Sequence, residues 1–145
     1  MDIANKHVRA ALLGFVLGLP AQASMAEVVV VVSASNPLAE LSKDQVADIF
    51  LGRTAYFPDG GAAVPLDLAE DAAGRAEFYR KVTGKSAPQL KAYWSKLIFT
   101  GQGQPPRELP DAAAVKSALA AMPGSIGYID RSDLDTRVKA VLTPH

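Results

Sequence analysis

The sequence predicts a single α/β domain in which about four helices flank a small, mostly parallel β-sheet. Three observations lead to this prediction. Strand-like and helical hydrophobic patterns alternate in the first half of the chain, helical patterns cluster in the second half, and two strand-like runs close it. The length of 145 residues fits one domain, and no shift in composition divides the chain.

Residues 1–26 are predicted to be a secretory signal peptide rather than part of the domain. A mildly basic start precedes the apolar stretch AALLGFVLGLP, which is too short to span a bilayer, and small residues at cleavage spacing follow. The alternative is a buried N-terminal helix, against which the preceding cations and Pro20 argue. We expect cleavage after Ala26, so that residues 27–145 form a soluble exported domain in a bacterial periplasm.

Charge and composition exclude several classes of partner. Removing Lys6, Arg9 and Asp2 with the signal from 15 cations and 15 acids leaves 13 against 14, a net charge near −1. Nucleic acids and anionic membranes favour concentrated positive charge, so neither is expected as a partner. Because the sequence contains no cysteine, we expect neither a lipid anchor at the cleavage site nor a disulfide.

The first predicted elements are a buried strand, a capped helix and a short second strand. The run EVVVVVSASN is apolar up to Ser33, which is typical of a strand covered on both faces. In LSKDQVADIFLG, Ser42 and Gln45 form a capping box and Gly52 stops the helix. The second strand is AAVPLDLA, where Pro65 suggests an edge or a bulge.

Three further helices and two strands complete the prediction. AGRAEFYRKVTG is predicted to be a helix that ends at Gly84, and KSAPQLKAYWSKLIFTG one that is capped by Ser86 and Gln89. Asp111 caps the fourth helix after a loop of about ten residues. PGSIGYID then predicts a tight turn into a strand, and TRVKAVL predicts the last strand.

The residue types available argue against an enzyme. Besides lacking cysteine, the sequence has histidine only at His7, in the predicted signal, and at the terminal His145. Nucleophilic triads and His/Cys metal sites therefore lack their usual members, and we expect no metal and no cofactor. The carboxylate pair Glu70 and Asp71 lies at an expected helix start, where solvation and the helix dipole explain it.

Ligand binding at the ends of strands is the remaining chemistry. Ser35 and Asn36 follow the first strand and could donate hydrogen bonds to an anion, although a turn before the next proline explains them as well. Arg75, in the first turn of the second helix, either adds positive charge near the helix start or pairs with Asp71. We expect any small ligand where Ser35 and Asn36 face the N-terminus of the second helix.

The order of motifs resembles the phosphate-binding proteins of ABC transporters and, more loosely, the type 2 periplasmic-binding superfamily. The resemblance is carried by LSKDQVADIFLGRTAYFPDGGAAVPLDL, a helix with Phe78, Trp94, and PGSIGYID, and it extends from about Val28 to Leu142. Family members close two lobes on the ion, and this chain is similar mainly to the second lobe, as a single-lobe short form. The resemblance implies a non-enzymatic, periplasmic solute-binding protein with a phosphate-like anion as ligand and a membrane transporter as partner.

The ligand motif departs from the family. There, an arginine and a Ser-Gly-Thr four residues later bind phosphate in this lobe. Aligned on Phe78, the arginine position falls on Leu68. The Ser-Gly-Thr positions fall on Ala72, Ala73 and Gly74. The resemblance therefore predicts that only the backbone N–H groups of the helix start survive, so that an inorganic anion binds weakly.

A second hypothesis is a protein-interaction module that needs no ligand. A lone lobe exposes the face that meets the other lobe in two-lobed relatives. That face could form a homodimer or dock on a membrane protein. Both hypotheses stay open at the level of the sequence.

Overall fold

The computed structural model describes residues 27–145 together with Gly14 and Gly18, so the predicted signal peptide, apart from these two glycines, lies outside the described residues. Residues 27–145 form five strands and four α-helices. In chain order they are β1 (Val28–Ser33), α1 (Lys43–Phe50), β2 (Val64–Leu68), α2 (Arg75–Thr83), α3 (Ala87–Phe99), β3 (Arg107–Leu109), α4 (Ala112–Ala121), β4 (Ser125–Asp130) and β5 (Val138–Leu142). The predicted α/β class with about four helices is confirmed. Within residues 27–145, no helix combines the length and the apolar character needed to cross a bilayer.

The five strands form one sheet in the order β3-β2-β4-β1-β5. Strand β2 pairs in parallel with both β3 and β4. Strand β1 pairs in an antiparallel direction with both β4 and β5. The parallel pairings are thus confined to one half of the sheet, and the other half is antiparallel.

The direction of β1 decides which loops meet at each end of the sheet. Val28, at the start of β1, pairs with Asp130 at the end of β4. Because β2 runs parallel to β4, the loop that follows β2 lies at this same end. The segment after Ser33, at the finish of β1, lies at the opposite end, beside the start of β4.

The apolar runs of the sequence form the core. All six residues of β1 are buried, as the continuous valine run predicts for a strand covered on both faces. The rings of Phe78 and Tyr128 stack in parallel, with centroids 3.9 Å apart, and Phe50 contacts Phe78 edge-on at 4.8 Å. Helices α1 and α2 are thereby anchored to β4, and this fixes the start of α2 relative to the sheet.

Local signals in the sequence agree with the observed helix ends. Ser42 and Ser86 each form the predicted capping box with the glutamine three residues later, and Asp111 caps α4. Pro65 lies in an inner strand, but its partner is on β4, and β3 pairs only with the three residues that follow it. Pro65 therefore takes an edge-like position inside β2, where the missing N–H costs no ladder bond on the β3 side.

Candidate functional site

Ser35 and Asn36 form a turn that uses their polar side chains internally. The Asn36 amide donates to the carbonyl of Pro123 at 2.9 Å, and its oxygen accepts from the backbone N–H of Leu38 at 3.0 Å. The Ser35 hydroxyl lies 2.9 Å from that of Ser33. These contacts support the turn interpretation, because the groups that were candidates for an anion already have partners.

The predicted meeting of this turn with the start of α2 is wrong. A Cβ added to Gly74 would lie 3.2 Å from Cγ2 of Val28, so the start of α2 is at the start of β1. Ser35 follows the other end of this six-residue strand, roughly 17 Å away at about 3.3 Å per residue. The prediction assumed parallel strands, whose carboxyl ends share one edge, and β1 runs the opposite way.

The loop from β2 to α2 is a compact turn without side-chain donors. The N–H of Ala72 donates to the carbonyl of Ala69 at 2.9 Å, and the N–H of Arg75 donates to Ala72 at 3.3 Å. Gly74 has φ of 88° and caps α2 with no side-chain hydrogen bond. This φ explains a glycine here, since a side chain would be strained. Ala73 is exposed, and Leu68 is buried in the core.

Arg75 points into the protein instead of toward the start of its helix. Its Nη2 lies 3.4 Å from Oδ2 of Asp67 and 3.7 Å from Oε1 of Glu108, and its ion pairs among the described residues do not include Asp71. The guanidinium also lies over the ring of Tyr79, 5.6 Å from the centroid. The predicted alternative of pairing with Asp71 is therefore wrong, because a buried carboxylate competes more strongly than an exposed one.

Asp67 is the centre of a buried polar cluster. Its side chain is 2% exposed, and it accepts hydrogen bonds from the hydroxyls of Tyr79 and Tyr128, each at 2.5 Å. The N–H of Leu68 also donates to it at 2.8 Å. An unpaired buried carboxylate costs on the order of several kcal/mol. Three donors and the guanidinium of Arg75 offset that cost, so the cluster stabilises one arrangement of β2, α2 and β4.

The electrostatics of this cluster keep both tyrosines protonated. Burial raises the pKa of Tyr79 and of Tyr128 well above the ordinary tyrosine value, and the Asp67 carboxylate raises both further. Burial, the largest single influence, lowers the pKa of Arg75, but the surrounding acidic groups, of which Asp67 is the strongest, together outweigh it and the pKa is raised. Hydroxyls that hold their protons so firmly are donors to Asp67 and poor acids or bases for catalysis.

One buried donor in the cluster has no partner. The Nε of Arg75 is buried and makes no hydrogen bond among residues 27–145. Leaving such a donor unsatisfied costs about 1–3 kcal/mol, which an ordered water or a ligand would relieve. Arg75 also forms part of the wall of a cavity.

That cavity lies between α2, α3 and β3 and has a volume of about 260 Å³. Its lining is mixed: apolar and aromatic side chains, two acids, two cations and one serine. The lining residues are Glu70, Arg75, Ala76, Tyr79, Ala87, Leu90, Lys91, Trp94, Ser95, Ile98, Pro105 and Glu108. Small-molecule sites combine an apolar lining with a few polar groups in this way. Within residues 27–145, no three carboxylate or histidine side chains converge as a metal site would need.

Sequence reasoning found Arg75 but missed Asp67, Tyr79, Tyr128 and the cavity. A signal for the cluster was present, since Asp67 is a lone acid inside an otherwise apolar strand pattern, and a buried charge requires partners. Its partner Tyr128 lies 61 residues away, and no local pattern identifies it. The spacing of Leu90 and Trp94 predicts core residues, and the structure places both in the core and beside the cavity.

Comparison with known proteins agrees with this architecture. No family model matches the sequence, and no curated protein matches it. A phosphate ABC transporter substrate-binding protein from Clostridium perfringens, solved with bound phosphate, superimposes with a TM-score of 0.62 at 22% identity. An ABC-type phosphate transport receptor from Vibrio cholerae gives 0.63 at 16%, and PstS from Borrelia burgdorferi gives 0.60 at 10%.

The chain has the fold of a periplasmic-binding-protein lobe. Each of these three matches covers 80% of this chain but only 44–46% of the other protein. This confirms the predicted periplasmic-binding-protein-like fold, and the chain spans less than half the length of each of the three proteins. Identities of 22% and below carry the likeness of fold and nothing about the ligand.

Proposed function

We propose that the chain is an exported, non-enzymatic, solute-binding type of protein, related in fold to the phosphate-binding components of ABC transporters. We further propose that it has lost the side chains that would bind phosphate at the start of α2. The single observation that carries the proposal is the orientation of Arg75. Its guanidinium is held by Asp67 and Glu108, so the start of α2 has no cationic side chain to offer an anion. An inorganic anion such as phosphate would meet only backbone N–H groups there.

The magnitudes support weak binding of phosphate. Hydrogen bonds to a charged group contribute about 1.5–3 kcal/mol each, and each 1.4 kcal/mol is about tenfold in affinity. The turn of Ala72, Ala73 and Gly74 offers no hydroxyl. The exposed acids Glu70 and Asp71 precede it and repel an anion. What remains is the helix dipole and the bare N–H groups of a nine-residue helix.

Calorimetric titration of the exported protein with phosphate tests the proposal. We expect a Kd weaker than about 1 μM. Nanomolar affinity would show that the protein still binds phosphate tightly and would overturn the proposal. The double substitution E70Q/D71N should strengthen phosphate binding, because it removes repulsion at the start of α2. Its matched control is E40Q/D44N, which makes the same change of charge at α1, on another part of the surface.

Export is a separate part of the proposal. The basic start, the apolar stretch and the small residues before Glu27 support a cleaved signal peptide. Fractionation of cells that express the whole chain should place the protein in the periplasm. Its intact mass should correspond to a chain that begins at Glu27. A cytoplasmic protein of full mass would contradict this part of the proposal.

A second candidate is the protein-interaction module, and one observation favours it. Ile98 and Phe99, at the end of α3, are 55% and 92% exposed. Adjacent exposed apolar side chains of this size are common in contact surfaces. A homodimer or a complex with a membrane protein such as a transporter would cover them. Size-exclusion chromatography with light scattering, compared between the wild type and Phe99→Ser, separates a strict monomer from an assembly that depends on this surface.

A further inference from the structure

We infer that the cavity between α2, α3 and β3 is a binding site for a small zwitterion with an apolar body, the chemical class of a free amino acid with a large apolar side chain. The cavity adjoins the start of α2, because Arg75 and Ala76, the first two residues of that helix, belong to its lining. It names a substrate class for the lobe and in that sense rests on the proposed solute-binding function. The argument uses the charges, the apolar wall and the volume of the cavity.

The cavity lining carries two acids and two cations. Glu70 and Lys91 both line it, both are exposed, and neither forms an ion pair with another described residue. Glu70 is in the loop before α2 and Lys91 is on α3, so the two charges come from different walls. Glu108 and Arg75 form a second pair, 3.7 Å apart, on β3 and α2. An ammonium and a carboxylate on one ligand would satisfy the unpaired acid and the unpaired cation together.

Apolar side chains form the rest of the wall. Leu90 and Trp94 on α3 and Tyr79 on α2 are buried residues of the lining. Ile98 lies in the lining but remains 55% exposed, so apolar area there is still available to a ligand. Apolar area that leaves water on binding would supply the main attraction, and the charged groups would set the orientation.

Size and charge exclude other ligand classes. The volume of about 260 Å³ is below the range usual for drug-sized ligands, so the occupant is small. A simple anion would find one cation in the lining that is unpaired among the described residues, Lys91, but would also face Glu70 and Glu108. The partly buried Arg75 is already paired with Asp67 and Glu108. A purely apolar ligand would leave Glu70 and Lys91 beside it without partners while removing water from them.

Titration with L-phenylalanine and two derivatives tests the inference on the purified exported protein. L-Phenylalaninamide lacks the carboxylate, and N-acetyl-L-phenylalanine lacks the ammonium group. We expect measurable heat and a raised melting temperature with L-phenylalanine. Each derivative should bind about tenfold more weakly or worse, because one charge-assisted contact is lost. Binding of either derivative with the affinity of L-phenylalanine would overturn the zwitterion assignment.

Variants place the binding in the cavity. Glu70→Ala and Lys91→Ala should each weaken L-phenylalanine binding about tenfold, and Ser95→Trp should abolish it by filling the space. Asp71→Ala and Lys96→Ala are matched controls, because they remove a neighbouring charge that does not line the cavity. Both should bind as the wild type does. All five positions are exposed, and urea unfolding checks that every variant is folded.

Two results would overturn the inference. One is no response to millimolar L-phenylalanine in a protein that unfolds cooperatively. The other is binding that Glu70→Ala, Lys91→Ala and Ser95→Trp leave unchanged. The phosphate titration separates this inference from the proposed function. Nanomolar phosphate binding would refute only the proposed loss of tight phosphate binding. Weak phosphate binding without any response to L-phenylalanine would refute only the cavity site.

Discussion

Replacing Tyr128 with phenylalanine isolates one hydrogen bond of the buried Asp67 cluster. The ring of Tyr128 stacks on Phe78, and phenylalanine keeps that contact. The Tyr128 hydroxyl donates to Asp67 at 2.5 Å, whereas it accepts only a 3.3 Å contact from the N–H of Leu68, which Asp67 also binds. The net loss is one hydrogen bond to a charged acceptor, so we expect the free energy of unfolding to fall by about 1.5–3 kcal/mol.

Urea unfolding at pH 7 measures this loss. For a domain of this size the slope is about 1–3 kcal/mol per molar urea, so the midpoint should fall by roughly 1 M with the slope unchanged. Tyr79→Phe should behave in the same way, because its hydroxyl also donates to Asp67 at 2.5 Å. The matched control is Tyr56→Phe, at a tyrosine that is 61% exposed. If Tyr128→Phe and the control differ by less than about 0.5 kcal/mol, the cluster does not stabilise the fold as argued.

Three further predictions concern pH, packing and capping. In the folded protein the pKa values of Tyr79 and Tyr128 are raised above the ordinary tyrosine value of 10.0. The stabilisation that this shift provides is complete below pH 10.0 and is lost as the pH rises above that value. Urea midpoints measured from pH 8 to 11 should therefore fall more steeply for the wild type than for Y79F/Y128F. Gly127→Ala should lower the free energy of unfolding by about 1–3 kcal/mol, because the new Cβ would lie 2.7 Å from Cγ1 of Val115. The control is Gly103→Ala, whose new Cβ would have no contact closer than 3.8 Å. This control should leave the free energy of unfolding nearly unchanged in the same urea titration. Ser86→Ala removes the capping box of α3 and should lower the free energy of unfolding, measured by thermal unfolding, by about 1 kcal/mol. Ser95 lies within the same helix and does not cap it, so an equal loss in Ser95→Ala would contradict this explanation.

Helix ends and strand burial could be predicted from the sequence because their causes are local. A serine with a glutamine three residues later forms a capping box whatever the rest of the chain does, and both predicted boxes occur. Five consecutive valines predict burial on both faces, and β1 is buried throughout. The same run has no feature that specifies the direction of pairing. The antiparallel direction of β1 follows from its pairing with β4, nearly a hundred residues later in the chain.

The misplaced ligand site follows from that one unknown direction. With β1 parallel to its neighbours, Ser35 and Asn36 would lie beside the start of α2. With β1 antiparallel, they lie at the far end of the sheet, and the Asn36 side chain joins its turn to Pro123. The Asp67 cluster was beyond local reasoning for a related reason, since its donors come from α2 and β4 and converge only after the sheet has formed.

The position of Arg75 connects the proposed loss of phosphate binding with the cavity. A guanidinium on the first residue of α2 could interact either with an anion at the start of the helix or with the buried acid Asp67 on β2. The guanidinium pairs with Asp67 because a carboxylate that is 2% exposed interacts in a low dielectric and cannot exchange its partner for water. This choice removes the cation from the start of α2 and places it in the wall between α2 and β3. Binding chemistry in the lobe is therefore expected beside α3, where Glu70 and Lys91 still lack partners among residues 27–145.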